Sequence, residues 1–164
     1  MLWVEMTMAL VLSSSAFSEG ASIPEKFTCD GANVSPALTW SGAPPSTQTF
    51  VLIADDPDAP AGTWVHWVLF NLPAKTNALP ENVARDEMLP ALGNAAQGRN
   101  DFKKFGYGGP CPPRGHPHRY FFKLYALDTS LGLHPGATKA QLEAAMQGHI
   151  VGSAQLVGTY ARKR

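Results

Sequence analysis

Apolar and polar residues alternate along this chain in short blocks, and most blocks have the length of a strand. Phe50-Val51-Leu52-Ile53 is an apolar run bounded by polar residues and proline, as a buried strand should be. Trp64 to Asn71 is a second such run, and Tyr120 to Leu127 a third, with Lys123 its only charge. Ile150 to Tyr160 alternates loosely with small residues and predicts the last strand, while Thr7 to Leu12 predicts the first. Proline-rich joints at Ala43-Pro44-Pro45 and Leu72-Pro73 separate the blocks. The clearest helix is Lys139 to Gly148, where Ala140, Leu142, Ala144, Ala145 and Met146 are mostly good helix formers. Thr138 suits its N-cap, with Gln141 three residues on, and Gly148 suits its C-terminal stop. Weaker helical turns are expected around Leu79 to Arg85. Many short strands with regular turn signals predict a mostly β chain, an antiparallel β-sandwich with one main helix at about 139–148 and short helical turns.

The bulk numbers narrow the choice of partner more than the choice of fold. At 164 residues, with no repeats and no break in composition, the chain reads as one domain, 1–164, large enough for a real core. Thirteen basic and thirteen acidic residues cancel. Nucleic-acid binding, which needs a basic face, is thereby disfavoured. The basic tail Arg162-Lys163-Arg164 reads as a solvated terminus. The first twelve residues carry Glu5 and no positive segment, and their apolar stretch is too short for a signal peptide. No run approaches the ~20 apolar residues of a membrane span, so a cytoplasmic address is expected. Cys29 and Cys111 are too few for a disulfide framework and lack metal-pair spacing; in a cytoplasm they would be two separate thiols.

The chemistry concentrates between Gly106 and Asp128, GYGGPCPPRGHPHRYFFKLYALD. A Gly/Pro-dense loop runs into His116, Pro117, His118, Arg119 and Tyr120, and then into an aromatic strand. Glycine lets backbone amides approach a ligand, proline stiffens the loop, and imidazoles sit where loop meets strand, as in a small anion pocket. A second polar knot, Ala54 to Pro60, ends an apolar strand, and a third element places His66 inside the apolar run Trp64 to Phe70. In order along the chain, DPDAP (Asp56 to Pro60), WVHW (Trp64 to Trp67) and PPRGHPHRY (Pro112 to Tyr120) resemble the phosphatidylethanolamine-binding protein family. The likeness is strongest to its bacterial and archaeal, Raf-kinase-inhibitor-like branch. It extends to FTCDGANVSPALTW (Phe27 to Trp40) and HIVGSAQLVGTY (His149 to Tyr160), and so covers the chain from about Ser14 to Tyr160.

That resemblance implies two packed sheets in Greek-key style with the helix against one side. It also implies a pocket for an anionic group, a phosphate or the head group of a phospholipid or nucleotide. Asp56, His66, Cys111, Pro113, His118 and Tyr120 are the residues it places there. Read without it, His66 would more often be a satisfied core histidine, and Asp55, Asp56 and Asp58 would be turn caps. That second reading is kept for Asp55 and Asp58. By period-two alternation, Trp64 and His66 share one face of their strand and Val65 and Trp67 the other; His118 and Tyr120 point to the pocket and Arg119 away, to an ion pair or solvent. Ala59-Pro60 is a candidate cis bond, and Tyr160 suits the core better than the site. Both cysteines lie in segments of the resemblance, which leaves a bridge between them open. Animal members continue into a C-terminal helix over the pocket; a chain stopping at Arg164 would have a more open pocket or one closed by a subunit, as in a homodimer. No Ser sits in a Gly-x-Ser-x-Gly elbow, so binding without turnover is expected, with no metal and no cofactor. The alternative role is an inhibitor or modulator of a protein kinase or serine protease, acting through the pocket rim.

Overall fold

The computed structural model describes residues 9–163. Its elements are β1 (Val11–Ser13), β2 (Leu38–Ser41), β3 (Thr49–Asp56), β4 (Trp64–Pro73), β5 (Ala78–Leu79), β6 (Met88–Leu89), β7 (Ala95–Gln97), β8 (His118–Leu127), α1 (Lys139–Met146) and β9 (Ile150–Tyr160). They form two antiparallel sheets, a small one in the order β1-β2-β5 and a large one in the order β6-β7-β4-β3-β8-β9.

The unbroken apolar run of β3 follows from its place at the centre of the large sheet, where every residue is buried. Phe50, Leu52 and Ala54 face the small sheet and pack with Leu12, Leu38, Trp40 and Leu79 in the main core. Val51 and Ile53 face the other way, into a second core closed by Leu142 and Met146 of α1. A strand covered on both sides has no reason to alternate in polarity. β8 is covered mainly on one side: Tyr120, Phe122, Leu124 and Ala126 are buried, while Phe121, Lys123 and Tyr125 are half-buried.

With eight residues, α1 is too short to be stable alone. The expected capping box forms: Thr138 Oγ1 accepts from the Gln141 N–H at 3.2 Å, and Gln141 Oε1 accepts from the Thr138 N–H at 3.0 Å. Gly148, with φ of 80°, ends the helical segment. Lys139 ties the helix to the sheet by donating to Asp55 Oδ2 at 2.7 Å, an oxygen that Lys123 also reaches at 3.1 Å. Asp55 is therefore a buried sheet-to-helix anchor and not the turn cap expected for it.

Four further expectations about the fold change in the structure. The first described strand starts at Val11, later than the predicted Thr7 to Leu12, of which Thr7 and Met8 lie outside the described residues. No helical turn forms from Leu79 to Arg85: Leu79 belongs to β5, Pro80 disfavours a helical Leu79, and Asn82 is left-handed at φ 61°. The short 3-10 turns are instead Glu25–Phe27 and Pro90–Leu92. The tail is partly tied down, because Arg162 pairs with Asp30 at 3.2 Å; Arg164 lies outside the described residues.

The fourth change concerns the cysteines. Cys29 and Cys111 are joined in a disulfide, with Cα atoms 5.4 Å apart, and are not separate thiols. Spacing along the chain could not show this, since 82 residues separate them and the fold alone brings them together. Closing so long a loop removes much entropy from the unfolded chain. Replacing both cysteines by alanine is expected to lower unfolding stability by roughly 2–5 kcal/mol. Urea denaturation of the oxidised protein and the double variant measures this; equal midpoints would mean the bridge is absent or strained in solution.

Candidate functional site

Three strand ends meet at one end of the large sheet. Asp56 closes β3, Trp64 opens β4 opposite it, and His118 opens β8. Above them the loop of residues 106–117 crosses, and the space between is a cavity of about 190 Å³. Asp56, His66, Cys111, Pro113, His118 and Tyr120, the six residues named from the sequence, all line it, despite separations of up to 64 positions. Ala59, Pro60, Trp64, Phe102 and Pro112 complete the wall. At ~30 Å³ per water the space fits a small group.

His66 reaches the cavity through an irregularity that simple alternation does not anticipate. Trp67 pairs with Ala54 but Val65 pairs with Asp55, so His66 is an extra residue, a β-bulge. The bulge puts Val65 in the helix-side core and Trp67 in the main core. Trp67 thus shares the side of His66, whose ring stands edge-on to Tyr120 with centroids 5.3 Å apart, and does not oppose it as expected. His66 Nδ1 lies 2.6 Å from the Gly108 carbonyl oxygen. A carbonyl only accepts, so Nδ1 carries the proton and donates. The Gly108 N–H returns a bond to the His66 carbonyl at 2.9 Å. Next to it, Gly109 approaches the Phe27 carbonyl so closely that a Cβ there would lie 2.3 Å from that oxygen. This is the reason for glycine at that position.

His66 is only 4% exposed, and burial pushes its imidazole pKa below the ordinary value, against the opposing pull of Gly108 and Asp56. It is a neutral ring whose Nε2 is an acceptor. His118 sits differently, with Nδ1 2.7 Å from Asp56 Oδ2. The other carboxylate oxygen of Asp56 accepts the Asp58 N–H at 2.7 Å. Asp56 therefore both caps its turn and orients an imidazole. Asp58, expected to be the cap, instead forms a fork with Arg119, whose Nε and an Nη each lie 2.9 Å from one of its oxygens. The guanidinium beside it holds the Asp58 carboxyl down to about 2. Such an exposed pair adds little stability, but it fixes the DPD turn against the start of β8 and so holds Asp56 beside His118.

Tyr120 is buried, and its hydroxyl has no hydrogen-bond partner among the described residues. Burial, reinforced by the charge of Asp56, pushes its phenol far above the ordinary range. The indole N–H of Trp64 is likewise buried without a partner. The Cys111 N–H makes no hydrogen bond among the described residues, and its side chain bridges to Cys29 at the rim. Phe102, 38% exposed at the mouth, is edge-on to both Trp64 and His66. Sequence gave no warning of it, because its place depends on a loop organised by Asn100, which accepts from the N–H groups of Phe102 and Lys104. A neighbouring cavity of about 390 Å³ shares Phe102 and Cys111 with the first and is lined by Arg85 and Lys104. The Ala59-Pro60 bond is trans, not cis as expected; the two-residue reach of Asp56 to the Asp58 N–H already makes the turn. His116 is exposed and outside the cavity wall. Tyr160 is buried in the main core, its hydroxyl donating to Asp30 at 2.5 Å. Among the described residues no group of three or more His, Cys, Asp or Glu side chains is placed to hold a metal ion, and no helix is long and apolar enough to cross a membrane.

Comparison with known proteins bears on the family and the fold. The sequence profile of the phosphatidylethanolamine-binding protein family matches residues 13–161. The chain is 50% identical over 151 residues to the UPF0098 protein of Methanothermobacter thermautotrophicus, covering 92% of this chain and 98% of that one. The crystal structure of a homologue from Chlamydia trachomatis superposes with a TM-score of 0.85 at 42% identity, covering 94% of this chain and 99% of the other. YbcL of E. coli, described as a member of the mammalian family, gives a TM-score of 0.88 at 34% identity over 95% of this chain and all of its own. The chain belongs to the phosphatidylethanolamine-binding protein family.

The state of His66 has a consequence for stability. Its folded pKa lies below its unfolded one, so the unfolded chain takes up a proton near pH ~6.5 that the folded chain refuses. The stabilising contribution is complete above that pH and is lost as pH falls through the lowered folded value. Stability of the native protein should therefore decline between about pH 7.5 and 5.5, and a His66→Asn variant should decline less. Chemical denaturation of both proteins at the two pH values checks this. An equal decline in the two would mean that His66 is not held neutral.

Proposed function

We propose that this protein binds a small anionic group, phosphate or a phosphoryl head group, in the cavity between His66 and His118, and does so without turnover. The observation that carries the reading is the convergence of an oriented Asp56–His118 pair, a second imidazole and unpartnered donors on one small cavity. Buried donors without partners are costly to keep, and a ligand oxygen is the natural acceptor for them. The wall composition supports binding over catalysis: the hydroxyl lining it is that of Tyr120, and the sulfur lining it is locked in the disulfide. Among the described residues no serine or threonine lines the cavity beside the imidazole of His118. His66, whose imidazole pKa is lowered by burial, offers this site an acceptor and not a positive charge. A role as modulator of a kinase or serine protease through the rim rests on the resemblance alone, and capture of such a partner would be its evidence.

Two substitutions test the binding reading from opposite sides. His118→Ala should abolish the rise in melting temperature that phosphate gives the native protein. It should cost stability only modestly, about 1–3 kcal/mol, because it leaves Asp56 with one fewer partner beside a cavity that water can enter. Tyr120→Phe should leave stability equal or higher, since it deletes a buried hydroxyl without a partner. It should also weaken phosphate binding roughly fivefold, the worth of one hydrogen bond of about 1 kcal/mol. Differential scanning fluorimetry with and without phosphate, followed by calorimetric titration, reads both. If His118→Ala keeps its phosphate response, the anion does not sit in this cavity.

A further inference from the structure

We infer that the neighbouring cavity is a second binding site, for a carboxylate carried on an apolar body, distinct from the strand-end cavity and independent of the anion reading given for it. The groove has a volume of about 390 Å³, space for about thirteen waters at ~30 Å³ each. Its walls come from segments distant in sequence, residues 29–33, Arg85 and the loop from Asn100 to Cys111. Arg85 bolts them together. Its Nε donates to the Tyr107 carbonyl at 2.8 Å, and an Nη donates to the Asn33 carbonyl. The backbone on either side is itself fixed, because the buried Gln97 amide donates to the Ala84 and Asp86 carbonyls, each at 2.8 Å. Bonds to neutral carbonyls orient the guanidinium but leave its charge unbalanced and some of its N–H donors unspent. Among the described residues neither Arg85 nor Lys104 forms an ion pair with a carboxylate.

The side-chain acceptors on this wall are already engaged. Asn33 Oδ1 accepts the Gly109 N–H at 2.8 Å, which makes Nδ2 the free end of that amide. Asn100 Oδ1 accepts from the N–H groups of Phe102 and Lys104, and its Nδ2 donates to the Gly106 carbonyl. Tyr107 spends its hydroxyl on the Phe27 carbonyl at 2.6 Å. The side-chain groups left over are donors: the Arg85 fork, the Lys104 ammonium and the Asn33 amide. Among the described residues no Asp or Glu lines the groove, whereas Asp56 lines the strand-end cavity and no lysine or arginine does. The two walls therefore differ in charge. A guanidinium fork matches the two coplanar oxygens of a carboxylate, which only accept. The rings of Phe102 and Phe105, with Ala32 and the disulfide, face the rest of the ligand with apolar surface. An apolar wall with a few converging polar groups is the usual make-up of a small-molecule site.

Calorimetric titration of the intact protein with N-acetylphenylalanine and with its uncharged amide tests this, at about pH 7, where the carboxylate is ionised, and at fixed ionic strength. The acid is expected to bind at least ~10-fold more tightly than the amide. Lys104→Met, outside the wall of the strand-end cavity, should weaken the acid roughly tenfold and leave the melting response to inorganic phosphate as it is in the native protein. Arg85→Lys keeps the charge but loses the fork, and should weaken the acid by a similar factor. Binding of neither probe, equal binding of both, or an acid affinity unchanged in Lys104→Met would overturn the inference and leave the strand-end reading standing. A folded Arg85→Lys protein with native affinity would overturn the carboxylate assignment; if that variant does not fold, Lys104→Met decides. Loss of both the acid and the phosphate response in Lys104→Met would mean that one site takes both anions and that there is no second one. Lys104-dependent binding of the acid in a protein indifferent to phosphate would overturn the strand-end reading alone.

Discussion

Gly108 and His66 exchange two hydrogen bonds: the Gly108 N–H donates to the His66 carbonyl at 2.9 Å, and His66 Nδ1–H donates to the Gly108 carbonyl at 2.6 Å. Much of the site depends on that exchange. It clamps the Gly/Pro loop onto the bulge of β4, so that Cys111, Pro112 and Pro113 roof the cavity. It also decides the tautomer of the imidazole and thereby the hydrogen-bonding sense of the wall. The disulfide holds the same loop from the other side, through Cys29, and Gly109 packs against the Phe27 carbonyl between the two fastenings.

Two adjacent carboxylates show how the sheet sorts chemistry. Asp55 and Asp56 end the same strand and point to opposite faces. Asp55 meets Lys123 and Lys139 and anchors the helix to the sheet. Asp56 turns to the cavity and orients His118. Identical side chains, one residue apart, thus anchor the helix on one face and orient a cavity imidazole on the other, and Asp58 with Arg119 fixes the turn that keeps Asp56 in place.

Much of this was legible in the sequence, for identifiable reasons. The long strands announced themselves because β3 is buried on both faces and β8 carries its apolar residues at alternate positions. The helix was legible in its cap residues, Thr138 and Gln141. The six cavity residues came from ordered motifs, not from periodicity. Periodicity failed where the backbone departs from it: the extra residue at His66 put Trp67 on the side opposite to the one alternation assigned. Long-range consequences were also hidden. The Cys29–Cys111 bridge, the burial that keeps His66 neutral and the place of Phe102 at the mouth all arise when segments distant in sequence meet.

The central claim is that two imidazoles of fixed and different character face one anion-sized cavity. Nitrogen-15 NMR of the histidine rings tests it most directly, recorded at neutral pH with and without phosphate. The account predicts that His66 is a neutral ring protonated at Nδ1 with a bare Nε2, and that phosphate shifts the Nε2 resonances of both His66 and His118. A His66 protonated at Nε2, or rings of both residues indifferent to saturating phosphate, would contradict it.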